Sequence, residues 1–180
     1  MRSLSVSLTL TSVACLAGCT TQLPVEQPVS LSFALVAGEQ PVRCGSAFGP
    51  LGRDHKRVLL RDARFYVQDV ALIDDAGKPV PVRLQVSDWQ DAKVALLDFE
   101  DGSGHCVGGT PATNTQVIGS VPAGHYRGVS LTLGVPESLN HTSTELQAAP
   151  LDLAAMGGSW QAGRKFIKLE VVPEGGVSKA

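Results

Sequence analysis

The chain has 180 residues, with 15 basic against 17 acidic side chains and a formal net charge of −2. That balance, without any basic run, gives no electrostatic footprint for nucleic acid. The length is enough for one domain with a sizeable core.

Met1-Arg2 makes a short basic start, and the apolar stretch Leu4 to Leu16 that follows is too short to span a bilayer. It closes on Leu16-Ala17-Gly18-Cys19, small residues before a cysteine, the pattern of a bacterial lipoprotein signal. We therefore read residues 1–18 as a signal peptide, to be left out of fold reasoning. Cys19 is the expected lipid-bearing first residue of the mature chain. Thr20, rather than Asp, follows it, which favours an outer-membrane anchor facing the periplasm or the cell surface.

Removal of Cys15 with the leader and lipidation of Cys19 leave Cys44 and Cys106. In an oxidising envelope two thiols are expected to form one disulfide. Its closure would stabilise the fold by roughly 4 kcal/mol in the chain-entropy model. The functional alternative is a paired thiolate copper site.

Residues 19–30 contain two prolines and no periodicity and read as a tether. Residues 31–180 then show repeated alternation. Leu31, Phe33 and Leu35 share one face, as do Val80, Val82, Leu84 and Val86. Val129, Leu131, Leu133 and Val135 repeat the pattern, and Ile167, Leu169 and Val171 alternate with Lys168 and Glu170. Period-2 runs place one set of side chains inside and the other in water. Val58 to Ile73 is long enough for a bent strand or two, and Val94 to Phe99 adds another. Turns at Asp75-Ala76-Gly77, Asp101-Gly102-Ser103-Gly104 and Pro122-Ala123-Gly124 separate the runs. Only Leu151 to Met156 resembles a helical turn. The expected fold is all-β, an antiparallel β-sandwich with long loops and at most a short helical turn. Pro81, which lacks a ladder donor, suits an edge strand.

The chain contains no Gly-x-Ser-x-Gly elbow, His-Glu-x-x-His pair or phosphate loop, so a catalytic reading has no motif to rest on. Without a Cys-x-x-Cys-His it holds no c-type haem of its own. Asp74-Asp75 and Asp98-Glu100-Asp101 read as solvated turn carboxylates. The four histidines, His55, His105, His125 and His141, do not pair at short spacing. A metal site would have to be gathered by the fold, as loops gather at one pole of a sandwich. Imidazole nitrogen suits copper. Trp89 reads as a partly buried loop aromatic. Trp160, judged on its surroundings alone, reads as a packing residue.

Four segments taken in order carry a resemblance. They are Arg64 to Val70 (RFYVQDV), Val94 to Gly104 (VALLDFEDGSG) with Cys106, Gly124 to Pro136 (GHYRGVSLTLGVP), and Asn140 to Glu170 (NHTSTELQAAPLDLAAMGGSWQAGRKFIKLE). Together they resemble the MbnP-like family of secreted copper-binding proteins. The resemblance implies a β-sandwich that binds copper through His and works beside a di-haem cytochrome c peroxidase-like partner. The resemblance further implies a Trp open to oxidation to kynurenine by that partner, giving an aryl amine and a ketone that can meet a metal. Carried over, His141 of the Asn-His pair is the first copper ligand, His55 the second, and Trp160 the residue open to oxidation. This chain departs from the family pattern at three points. It keeps two mature-domain cysteines where members often have four, Gly158 replaces the first residue of a Trp-x-Trp step, and Arg164 replaces a Tyr. The implied role is a non-enzymatic one in copper capture or handling. A structural or binding lipoprotein of the same fold, without metal, is the alternative.

Overall fold

The computed structural model describes residues 24–176. Its first half contains β1 (Glu26–Ser32), β2 (Val36–Ala37), β3 (Gln40–Pro41), β4 (Ala47–Leu51), β5 (Lys56–Asp74), β6 (Pro79–Pro81) and β7 (Arg83–Leu84). Its second half contains β8 (Val94–Asp98), β9 (Gln116–Pro122), β10 (Tyr126–Leu133), the short helix α1 (Glu137–Asn140) and β11 (Ile167–Pro173). Single 3-10 turns at Thr144–Leu146 and Ala154–Met156 lie between α1 and β11. The protein is thus mostly antiparallel strand, as the alternation predicts.

The 19-residue strand β5 is the spine of the molecule. Along one side its first half pairs with β11 and its second half with β10. Along the other it meets β4, β8 and β6 in turn. Asp69 takes a left-handed φ of 51° where the β10 register slips, a bulge that bends the strand. The second layer is a narrower three-stranded sheet, β1-β9-β7.

The sequence Val80 to Val86 reads as one alternating strand but divides between the layers. β6 pairs with β5, and after Val82 the chain crosses so that β7 pairs with β9. Pro81 sits on β6, the short strand before the crossing. At the crossing, Gly119 of β9 has no room for a side chain, because a Cβ there would lie 2.3 Å from the Arg83 carbonyl oxygen. That missing side chain interrupts the alternation of Val117 and Val121, which hides β9 from a periodicity reading. β1 begins at Glu26, within the stretch read as a tether, because Val29 is buried and the strand pairs with β9 along its whole length.

Between the two sheets lies a core of Val67, Val70, Leu97, Val117 and Val121 with their neighbours. Burying each such side chain stabilises the fold by about 1.5–3 kcal/mol. A second cluster surrounds Cys44 and Cys106 and includes Phe48, Val58 and Leu60. The expected disulfide is formed there, with 62 residues between its ends. The third cluster, Tyr66, Val94, Leu96, Val135, Leu151 and Met156, lies on the opposite face of β5 and β8. It is roofed by the long segment from α1 to β11, which makes a third, loop-built layer.

Candidate metal centre in the loop layer

β5 directs alternate side chains to this outer face, so Asp62, Arg64 and Tyr66 point towards the loops while Ala63, Phe65 and Val67 face the sandwich core. Tyr66 is fully buried, and its hydroxyl donates to the Pro150 carbonyl at 2.8 Å. Burial pushes its pKa up to about 12.

Beside it, Arg64 is only 1% exposed and is ringed by carboxylates. It pairs with Asp98 at 3.1 Å, with Asp62 at 3.5 Å and, closer still, with Glu100. Lys168 of β11 reaches Asp62 at 2.6 Å. Burial opposes the Arg64 charge, but Asp98, Asp62 and Glu100 outweigh it and the pKa is raised. Burial raises the pKa of Asp98 despite the bonds it accepts from Glu100 N–H and Arg64. Asp98 and Glu100 are therefore not the solvated turn carboxylates that their sequence surroundings suggest. Their partner lies more than thirty residues upstream, on β5. Gly109 makes room for Glu100, since a Cβ there would fall 1.1 Å from Oε2.

The one trio of metal-type donors among the described residues is Cys44, Glu100 and Cys106, with ligand atoms within 4.8 Å of one another. Both sulfurs are spent on the disulfide, and Glu100 is held by Arg64 and the Gly102 N–H. The paired-thiolate alternative is overturned on this ground.

The segment carrying His141 and Trp160 is organised by a residue that the sequence marks only as a departure. Arg164 is 6% exposed and has no carboxylate partner within salt-bridge range among the described residues. Its guanidinium instead donates to the carbonyls of Leu139, Leu151 and Thr142 and to the Thr142 hydroxyl. One planar fork thus ties α1 to the turns that follow. Lys165 adds bonds from Nζ to the Ala155 and Gly157 carbonyls.

Within this frame His141 is clamped. Its Nδ1 lies 2.6 Å from the Trp160 carbonyl oxygen and its Nε2 lies 3.3 Å from Asn140 Nδ2. A carbonyl can only accept, so Nδ1 carries the proton and Nε2 keeps its lone pair. The Asn140 amide is oriented in turn, because its Oδ1 accepts the Arg164 N–H at 2.8 Å. Gly163, at φ 75°, lets that amide lie close, and a Cβ there would come within 2.5 Å of it. A backbone carbonyl that fixes the tautomer is the usual outer-sphere arrangement of a metal-binding imidazole, and here Nε2 accepts from the Asn140 amide, a bond that a metal at Nε2 would have to displace. No trio of His, Cys, Asp or Glu donors among the described residues includes His141.

The Trp160 side chain is 74% exposed, so it is not a packing residue of the sandwich end. Trp89 is half-buried against the loop-layer cluster. His55 occupies the turn between β4 and β5 with φ 47°, closing on the Gly52 carbonyl. It lies ten residues before Phe65, a distance on the order of 30 Å along a strand. The structure therefore brings His141 and Trp160 together and leaves His55 at the far end of β5. His105 and His125 are exposed in other loops. Cys19 lies outside the described residues.

The MbnP family model matches residues 26–177. The chain belongs to the MbnP family. Among solved structures, MbnP from Methylosinus trichosporium is similar at 39% sequence identity, with a TM-score of 0.72. The likeness covers 83% of this chain and 56% of that one, so the chain spans little more than half of that protein's length. Comparison with curated protein sequences gave no match. Membership of the MbnP family accounts for the sandwich. It also makes position 158 informative. A Cβ on Gly158 would lie 2.0 Å from the Gly163 carbonyl oxygen. The position where the family pattern has its first Trp is therefore closed by backbone, and is not an empty side-chain slot.

Proposed function

We propose that the protein binds copper at His141 Nε2 and acts in copper capture or handling in the bacterial envelope, anchored through Cys19. The observation that carries this reading is the His141 clamp, with Nδ1 bonded to the Trp160 carbonyl at 2.6 Å. One imidazole is too few ligands for a tight site. Oxidation of Trp160 to kynurenine, by a di-haem cytochrome c peroxidase-like partner, would supply an aryl amine and a ketone in the same loop. The exposure of the Trp160 ring supports access for electron transfer to such a partner. His55 remains the second imidazole to be tested, although its turn lies far from His141 within one chain.

The test is metal analysis with intact-mass measurement on protein made with and without a di-haem partner, for the parent and four single variants. We expect copper binding to be lost in His141→Ala and retained in His105→Ala and His125→Ala, with His55→Ala deciding whether a second imidazole takes part. A kynurenine mass change at Trp160 is expected only in partner-exposed protein. Retention of copper by His141→Ala, or conversion of Trp89 with Trp160 intact, would sink the assignment. For the anchor, Cys19→Ser should release the protein from the membrane fraction. A second reading, a metal-free binding lipoprotein of the same fold, is favoured by the closed position at Gly158. It predicts no bound copper in any preparation.

A further inference from the structure

The large sheet is wider than the layer that covers it. Ile167, Leu169 and Val171 of β11 are 53%, 62% and 42% exposed, and Leu133 of β10 is 47% exposed. Ile167 lies opposite Phe65, Leu169 opposite Ala63 and Leu133 opposite Val67. Phe65 and Val67 belong to the inter-sheet core, so these exposed residues share the core-facing side of the sheet. The three-stranded sheet stops short of them. What remains is an open depression of about 210 Å³ lined by Leu35, Ala63, Phe65, Leu133, Ile167 and Leu169.

Among the described residues β11 pairs on one side only, with β5. The Tyr66 N–H donates to the Phe166 carbonyl at 2.9 Å. In an antiparallel ladder the direction of main-chain groups alternates, so Lys168 and Glu170 also turn theirs to β5. Ile167, Leu169 and Val171 turn theirs outward to the open edge. Pro173 closes this edge at the C-terminal end of β11, but no proline or inward-pointing charge lies between Ile167 and Val171, where such residues would protect a free strand.

We propose that this edge is a self-association surface, at which a second copy of the chain pairs antiparallel along β11 about a two-fold axis at Leu169. The strand's charge order is complementary to itself, although Lys168 Nζ also holds Asp62 at 2.6 Å, and the two-fold axis brings side-chain face and main-chain phase with it. Lys168 falls opposite Glu170 of the second copy, and Glu170 opposite its Lys168. Ile167 falls opposite Val171, and Leu169 opposite Leu169, so apolar side chains meet on the core-facing side. The outward main-chain groups of these same three residues face each other in hydrogen-bonding phase. A strand from an unrelated protein would have to match the Lys168-Glu170 charge order without the help of symmetry.

Residues directly opposite in a hydrogen-bonded antiparallel pair have Cα atoms about 5.5 Å apart, within the range a disulfide bridges. The test uses the full chain with its own leader, carrying Leu169→Cys, oxidised mildly in membranes and run on a non-reducing gel. The expected result is a covalent dimer for Leu169→Cys, with the parent and Val129→Cys, an exposed β10 position, staying monomeric. Glu170→Lys, at an exposed site, places like charges opposite each other twice. It should weaken self-association, measured by sedimentation, by roughly tenfold. A Leu169→Cys chain that stays monomeric overturns the proposal. So does equal cross-linking at Val129→Cys, or an affinity that Glu170→Lys leaves unchanged. An adduct whose mass identifies a different polypeptide assigns the edge to another partner and overturns it equally.

Discussion

Arg164 and Arg64 are both buried arginines, and they serve opposite ends. Arg164 spends its charge on carbonyls of the loop that holds His141. Each hydrogen bond to a charged group is worth about 1.5–3 kcal/mol. Arg164→Met should therefore lower unfolding free energy by about 3 kcal/mol in urea titration, and it should loosen the Asn140-His141 clamp. Arg64 faces three carboxylates, and its removal leaves them buried with only Lys168 nearby. Breaking a buried ion cluster from one side costs about 3–5 kcal/mol, so Arg64→Met should be the more damaging of the two. Tyr66 offers a test by pH. An unfolded tyrosine ionises near 10, whereas the buried one holds its proton to about 12. The folded form is thus favoured fully below pH 10 and loses that advantage as pH rises towards 12. Tyr66→Phe gives up the bond to Pro150 but cannot form a phenolate. Its stability deficit relative to the parent, measured by urea titration at several pH values, should shrink across that window.

At the scale of elements, the loop layer is where the chain differs from the pattern it resembles. If Gly158 were only a vacant tryptophan slot, Gly158→Trp would be tolerated and would restore the family aromatic. The 2.0 Å approach of the Gly163 carbonyl says otherwise. We expect Gly158→Ala and Gly158→Trp both to destabilise the protein, by at least the 1–3 kcal/mol typical of overpacking, as thermal melts would show. Strands were legible where apolar residues alternated without interruption, as in β10 and β11, or ran on continuously, as in β5 and β8, whereas most of β1 lies in the stretch read as a tether. β9 was not legible, because Gly119 replaces a side chain that the crossing at β7 excludes. In β11 alternation identifies the core-facing side correctly but says nothing about how far the opposite sheet extends. Ile167 and Leu169 face the right way and remain uncovered for that reason. The candidate site was legible in part. His141 and Trp160 could be singled out from the Asn-His step and the retained aromatic. The role of Arg164 could not, because its partners are backbone carbonyls, and carbonyls have no sequence signature.

For the whole molecule, the Cys44–Cys106 bond joins the approach to β4 with the loop after β8. Closing 62 residues should contribute roughly 4 kcal/mol in the chain-entropy model. Cys44→Ser should therefore lower the urea midpoint strongly while leaving the strand content by circular dichroism intact in dilute denaturant. The central strand carries a different consequence, one of timing. β5 obtains its hairpin partner β4 within a few residues, but Arg64 must wait for Lys168, more than a hundred residues later, to complete its other flank. Contacts this distant in sequence slow the search for the native state. Until the last strand arrives, the first half of β5 is an open apolar edge. The chain cannot finish folding before its C-terminal strand is free to move. A chain truncated before Ile167 should therefore keep the β4–β5 hairpin while the first half of its spine stays unpaired along one side.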